Sequence, residues 1–356
     1  MSKTAVVLLN LGGPDSKEAI APFLKNFFMD KNIVRLPLPF RFMLSRLIAW
    51  RRSRKEAGNS YAALGNKSPL LENSEAQAKA LEAALNGGGT GQDYKCFIAM
   101  RYWHPFSSET AKLVQDYAPD RVILLPLYPQ YSTTTTRSSF QEWVKTNITQ
   151  NTSLICCYPF DDGFITASVE NIKRIYESAQ KDGHENIRVL FSAHGLPESI
   201  IKDGDPYQWQ CEESARKIVQ ALEDYNGGPR LDWQVCYQSR VGAQKWIGPS
   251  TEEALEKAAH DKVSVVIYPH AFVSEHVETL VEIEEEYREI AEKMGIHGFY
   301  RVPTVMTHPA FIEGLRRLVK KHEKEIGTIL PPTGYALCPP HFRRCACRDN
   351  LVQGLV

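Results

Sequence analysis

RVILLPLYP, Arg121–Pro129, and VSVVIYPHA, Val263–Ala271, decide the fold. Neither alternates apolar with polar residues, so neither reads as a strand with one wet face. Continuous aliphatic and β-branched runs of this length belong in parallel sheets covered by helices on both faces. Outward from them one pattern recurs: a short apolar strand, turn residues, then a longer stretch with helical period. Strands are expected at Thr4–Leu11, Tyr94–Arg101, Arg121–Tyr128 and Ser153–Tyr158 in the first half. In the second they are expected at Ile187–Ala193, Asp232–Gln238, Val263–Pro269 and Gly298–Thr304. Strands alternating with helices give right-handed crossovers and doubly wound α/β sheets. Four strands per half predict two similar domains, residues 1–180 and 181–330, joined through Gln180–Glu185 (QKDGHE). The stretch PPTGYALCPPHFRRCACRDN has neither period, so residues 331–356 read as an irregular tail ordered by something other than a core.

The 356 residues carry 42 Lys+Arg and 42 Asp+Glu. That neutrality gives no bulk field to attract nucleic acid. The apolar run Ala5–Leu11 is too short for a signal sequence, and no stretch reaches the roughly 18–20 apolar residues of a membrane span. A cytoplasmic protein without a disulfide framework is expected. Its 8 Cys and 10 His therefore need another explanation.

Open parallel sheets bind ligands outside the carboxyl ends of their strands. Those ends carry Asn10-Leu11-Gly12-Gly13, Arg101-Tyr102-Trp103-His104 and Tyr128-Pro129-Gln130-Tyr131. In the second half they carry Ser192-Ala193-His194-Gly195, Gln238-Ser239-Arg240, and His270 followed by Ser274-Glu275-His276. LNLGGPD lacks the spacing of a phosphate loop and reads as a tight turn. His194 precedes Gly195-Leu196-Pro197, a sharp turn able to hold an imidazole at a cleft rim; alone it reads equally as an ordinary hydrogen-bonded residue.

SEHVETLVEIEEEY, Ser274–Tyr287, places Glu275, Glu278, Glu282 and Glu286 on one face of a helix. Like charges at that spacing cost a few tenths of a kcal/mol per pair. The helix dipole accounts for the first two, not for the continuing ridge. With His276 beside them, the carboxylates suit divalent metal or proton transfer. Cys338, Cys345 and Cys347 form C-x6-C-x-C, which suits zinc or an iron–sulfur cluster given a fourth ligand: Cys156, Cys157 or His341. A metal-free tail is the bland alternative. Cys96, Cys211 and Cys236 read as core. Ala21–Leu47 has helical spacing at Phe23 and Phe27, but PLPFRFMLSRLIAWRR (37–52) crowds aromatics with arginine. It reads as core, or as a lip for a large apolar ligand or a membrane surface.

LNLGGPD, RYWHP, LYPQYSTTT, SAHGLP, GDPY, CYQSRVG-x3-WIGP and SEHVETL, in this order, resemble the ferrochelatase family over nearly the whole chain. The resemblance implies two Rossmann-like domains with four-stranded parallel sheets around a porphyrin cleft. It implies insertion of Fe2+ into a porphyrin, protoporphyrin IX, late in haem biosynthesis. The rivals are a related chelatase for another metal and a non-enzymatic haem or iron–sulfur binding protein. By position, His194, Glu278 and His276 match catalytic residues, and His194, Glu275, Glu278, Glu282 and Glu286 an iron or proton path. Arg101, Tyr102, Tyr128, Tyr131 and Trp246 match residues around the macrocycle, and Arg52, Tyr61 and Ser68 those that hold its propionates. Leu11, Phe23, Leu24, Phe27, Phe28 and Leu36 match the apolar lip. Animal members place a cluster cysteine where Thr133 stands here. The tail instead resembles bacterial members with a 2Fe-2S cluster on Cys338, Cys345, Cys347 and one of Cys156 or Cys157. The partners implied are porphyrin and ferrous iron, with no nucleic acid, in a monomer or homodimer located in the cytoplasm or peripheral to the inner membrane.

Overall fold

A computed structural model describes residues 2–54, 56–87, 91–148, 151–226, 230–240, 244–323, 325, 329–330 and 336–349. The chain forms two compact units. The first is Met1–Cys157 with Leu315–Pro339 and Arg344–Val356; the second is Tyr158–Gly314 with Pro340–Arg343.

All eight expected strands form. In the first unit β1 (Ser2–Asn10), β2 (Gln92–Met100), β3 (Arg121–Pro126) and β4 (Thr152–Ile155) make a parallel sheet. In the second, β5 (Ile187–His194), β6 (Asp232–Gln238), β7 (Ser264–Pro269) and β8 (Phe299–Arg301) make another. One two-residue strand was not expected: β9 (Ile329–Leu330) pairs with the edge of β4 through Leu154↔Ile329. The orders are β2-β1-β3-β4-β9 and β6-β5-β7-β8. Ala5–Leu8 and Val265–Ile267 are fully buried, as strands covered on both faces must be.

The shared order fixes where function belongs. From β1 the chain crosses to β2 on one side and later reaches β3 on the other. From β5 it crosses to β6, then β7. Each sheet therefore reverses direction between its first and third strands, and the crevice beyond those carboxyl ends is where such sheets take ligands. In the first unit the switch lies beyond Asn10 and Pro126, in the second beyond His194 and Pro269.

The boundary expected at residue 180 falls instead after Cys157. Helix Asp162–Lys181 buries Phe164, Ala167, Val169 and Ile172. Val169 and Ile172 join the core around Val189, Phe191 and Val266, so this helix and the QKDGHE connection after it belong to the second unit. The tail lacks helix and strand over 336–349, as its sequence suggests; 331–335 and 350–356 lie outside the described residues. The Ala21–Leu47 stretch divides into helices Ile20–Phe28, which stops at Met29, and Leu38–Ser53, which Pro37 and Pro39 start.

Candidate active site

β5 delivers His194 to the switch point of the second sheet. Gly195 N–H donates to the Gln238 carbonyl at 2.8 Å, and the Tyr207 hydroxyl to the His194 carbonyl at 3.0 Å, so the backbone is held from both sides. A Cβ on Gly195 would lie 2.9 Å from that Gln238 oxygen, which is why this turn takes glycine. His194 Nδ1 lies 3.0 Å from Glu278 Oε2, both side chains half-buried. An imidazole braced by a carboxylate can accept a proton and keep the charge in place.

Glu278 opens a π-helix, Glu278–Tyr287, with i→i+5 bonding rather than the α-helix expected. Its amide donates to His276 Nδ1 at 3.0 Å, so this ring nitrogen caps the helix. Burial lowers the His276 pKa and keeps the ring neutral, although Glu278 and Glu275 pull the other way. Glu275 lies before the helix, off the expected ridge. Arg301 Nη1 donates to its Oε1 and Oε2 at 3.0 and 3.1 Å, the Thr304 amide to Oε1 at 2.9 Å, and the Thr279 hydroxyl to Oε2 at 2.5 Å. Glu282 is half-buried beside Glu278, and desolvation first, then Glu278, raises its pKa to about 7. Glu286 is exposed. The four acids thus stand in four environments, and Glu278 is paired with the His194 imidazole.

In the first unit Arg101 and Tyr102, which follow β2 and hang on the end of β1 through Asn10 and Leu11, converge on a residue without a motif, Asp30. Its carboxylate accepts from Arg101 Nη2 at 3.0 Å, the Tyr102 hydroxyl at 2.7 Å, the Asn32 amide at 2.8 Å, Asn32 Nδ2 at 2.9 Å and the Ser138 hydroxyl. Arg101 Nε also donates to Ser138 at 2.7 Å. Burial alone would raise the Asp30 pKa, but Arg101, Ser138, Asn32 and Tyr102 together hold it below the usual range. Sequence reading missed Asp30 because a lone Asp after FFM carries no spacing signal.

Tyr131 is buried in the core with Phe140 and Trp143, and Tyr128 is half-buried. Tyr61 is buried, and Ser68 packs so tightly on the LGGP turn that a Cβ on Gly13 would lie 2.4 Å from its Cβ. Arg52 lies in the last turn of helix Leu38–Ser53. Trp246 bridges to Pro197, beside the His194 turn. Leu11 is half-buried. Of the expected lip, Phe23, Leu24 and Phe28 are buried by the contact between helices Ile20–Phe28 and Leu38–Ser53. The exposed apolar surface lies on the second helix and just before it: Leu36, Leu38, Phe40 (65%), Phe42, Met43 (71%), Leu47 and Trp50. Arg46 and Lys25 lie over the Phe42 ring and Arg54 over Trp50. Among the described residues no helix is long and apolar enough to cross a membrane.

Five thiols form a second centre within the first unit. Cys156 and Cys157 follow β4 with their Sγ atoms 3.5 Å apart, although neighbours on a strand would face opposite ways. Both share an apolar cluster with Leu337, Ala346 and Cys347. Cys347 is in hydrogen-bonding contact with Cys156 and Cys345, and Cys338 with Cys345, all as free thiols. These two thiol donors lower the Cys345 pKa, while Cys347 is raised by donating to its neighbours and by burial. Asp349, buried and 3.3 Å from Arg137, fastens the tail just beyond them. His341, the competing fourth ligand, is exposed against Phe342. Among the described residues no three His, Cys, Asp or Glu donors converge on one point as a mononuclear metal requires. A two-iron cluster asks less of any point, taking two thiolates per iron. Cys211 and Cys236 are buried in cores of the second unit, and Cys96 is partly buried on β2.

Residues 3–323 match the family model described as Ferrochelatase, a match that ends before the cysteine tail. The chain is 48% identical over 350 residues to a ferrochelatase of Caulobacter vibrioides (strain NA1000 / CB15N), covering 98% of both chains. It is 46% identical over 351 residues to one of Pelagibacter ubique (strain HTCC1062), covering 97% of this chain and 98% of the other. Among solved structures, SirB from Bacillus subtilis with Fe3+ aligns with a TM-score of 0.52 at 13% identity, covering 90% of this chain and 95% of that one. At that identity the likeness concerns the fold.

Proposed function

This chain belongs to the ferrochelatase family, and from that premise we propose that it inserts ferrous iron into a porphyrin, protoporphyrin IX, to form haem. The observation that carries the chemistry is the His194–Glu278 pair at the switch point of the second sheet. Metallation must remove two pyrrole protons and place a desolvated cation into a ring with little room. Binding energy from elsewhere on the macrocycle supplies the distortion that exposes the nitrogen lone pairs. His194, partly open to solvent, accepts the two pyrrole protons in turn, releasing the first to water before taking the second, and Glu278 stabilises the imidazolium each time. Arg101, whose guanidinium is fixed by Asp30, supplies positive charge on the first unit, and Arg52, Tyr61 and Ser68 serve the propionates.

We assign Cys338, Cys345, Cys347 and either Cys156 or Cys157 to a 2Fe-2S cluster. These thiols, all buried except the half-buried Cys347, together supply the four-thiolate donor set such a cluster takes. Bound there, it would supply one-electron redox chemistry and tie the tail to the sheet. Anaerobic purification with iron and sulfide analysis, a visible spectrum and an Fe2+/protoporphyrin insertion assay tests both assignments. About two irons and two sulfides per chain are expected, with Cys345→Ser losing them. A colourless wild type with full insertion activity removes the cluster and leaves the enzyme; a coloured protein without insertion does the reverse.

The exposed face of helix Leu38–Ser53 suits peripheral contact with an anionic membrane. Residues 35–54 hold six arginines and no acid, so apolar insertion and charge attraction act together. Flotation with phosphatidylglycerol vesicles should recover the protein, and Phe40→Glu with Met43→Glu should reduce recovery at least about fivefold. Equal recovery with both variants would discard the membrane role.

A further inference from the structure

Glu282 was expected to carry iron or protons along an acidic ridge, but its carboxylate is occupied. Oε1 accepts from the Ser239 amide at 2.8 Å and the Tyr287 hydroxyl at 3.1 Å. Oε2 accepts from the Ser239 hydroxyl at 2.6 Å and Gln238 Nε2 at 3.2 Å. Four protein donors are aimed at its two oxygens, as many as an ionised carboxylate accepts, and those from Ser239 and Tyr287 oppose the rise in pKa that burial and Glu278 cause. A metal ion would have to displace donors already in place.

The donors come from a special backbone. Ser239 immediately follows β6 with φ of +61°, a left-handed conformation unusual for serine, and from there both its amide and its hydroxyl reach one carboxylate. Gln238, fully buried, also donates to the Glu278 carbonyl at 3.2 Å, while its Oε1 accepts from the Ser192 hydroxyl at 2.7 Å. The end of β6 therefore grips the π-helix at two successive turns, through a backbone carbonyl at Glu278 and a side chain at Glu282. His276 holds the same helix at its first amide.

We propose that Ser239, with Gln238, is a positioning residue that latches the π-helix through Glu282 so that Glu278 stays on His194, and that Glu282 is the keeper of this latch and carries no iron. The inference rests on the reading of His194 and Glu278 as the reacting pair.

The test compares Ser239→Ala, Ser239→Gly and Glu282→Gln in the full chain by hydrogen exchange of residues 278–287 and by steady-state iron insertion. Ser239→Ala loses the hydroxyl and disfavours the left-handed backbone, whereas Ser239→Gly keeps that backbone and its amide donor. Expected for Ser239→Ala and Glu282→Gln are exchange in 278–287 faster by about tenfold and kcat lower by about tenfold, with KM for Fe2+ within about twofold. Ser239→Gly should recover most of both losses. An increase of about tenfold in KM for Fe2+ with unchanged kcat and exchange would make Glu282 an iron carrier and overturn the proposal. So would unchanged exchange in all three variants. Tyr287→Phe removes one donor and gives the same reading, at smaller amplitude, if Ser239→Ala does not fold. Exchange needs no turnover, so a wild type lacking insertion would sink the catalytic reading while the latch was still decided.

Discussion

Replacing His194 by alanine or Glu278 by glutamine should slow iron insertion by about 10²–10⁴-fold, the range lost when a positioned acid–base group is removed. Porphyrin affinity, read by fluorescence titration, should stay within about twofold, because neither side chain has to provide macrocycle binding for the pair to work. The two groups share one contact of 3.0 Å, so they should behave as a unit. The double variant should then be little worse than the poorer single, as expected for residues acting on one step. Wild-type rates in either single variant would refute the assignment. A parallel loss of porphyrin affinity would shift the pair's role from proton transfer to binding.

The second large effect belongs to a residue far from any motif. Asp30→Asn keeps the shape but leaves Arg101 without its buried anion, and it sets an amide against donors that need an acceptor. Removing one partner of a buried ion pair costs about 3–5 kcal/mol. The Asp30 side chain is 1% exposed, but Arg101 is 16% exposed and has Glu142 at 3.5 Å as a second partner, which favours the lower end. A loss of about 3 kcal/mol, or roughly 6–12 °C in Tm, is expected. The pH dependence has a definite sign. Asp30 is held below its ordinary pKa, so its stabilisation is present above about pH 4 and fades as pH falls through the folded value. Chemical denaturation at pH 7 and near pH 3 should show the gap between wild type and variant closing in acid. A gap that is constant with pH would mean that the charge of Asp30 contributes nothing.

The strands were legible because a parallel strand buried on both faces must be written as an uninterrupted apolar run, and Val122–Leu125 and Val265–Ile267 are such runs. β9 was not, since two residues cannot show a period. The acidic segment was recognised as chemical, but its geometry was hidden. Residue spacing does not distinguish i→i+5 from i→i+4 bonding, and nothing in SEHVETL shows that Glu275 turns away to Arg301 before the helix begins. The sequence-distant partners were likewise unreadable: Asp30 meets Arg101, and Glu282 meets Ser239, through tertiary structure alone. The thiols form the intermediate case. Their number and the tail's lack of period suggested a common site, whereas the side-by-side placement of Cys156 and Cys157 depends on the chain abandoning strand geometry after Ile155.

The first unit is discontinuous in the chain, and this bears on biosynthesis. Cys156 and Cys157 are translated about 190 residues before Cys347, and β4 likewise waits for β9. At ~5–20 residues per second the ribosome needs roughly 10–40 s to bridge that interval. During it the edge of the nascent sheet is unpaired and two vicinal thiols lack their companions. The second unit is almost wholly synthesised in the same interval, so it can fold before the first is complete. Whatever fills the cysteine site can therefore be loaded only after Cys347 has been made, and a product truncated before it, with an intact His194–Glu278 unit, would still lack its seal.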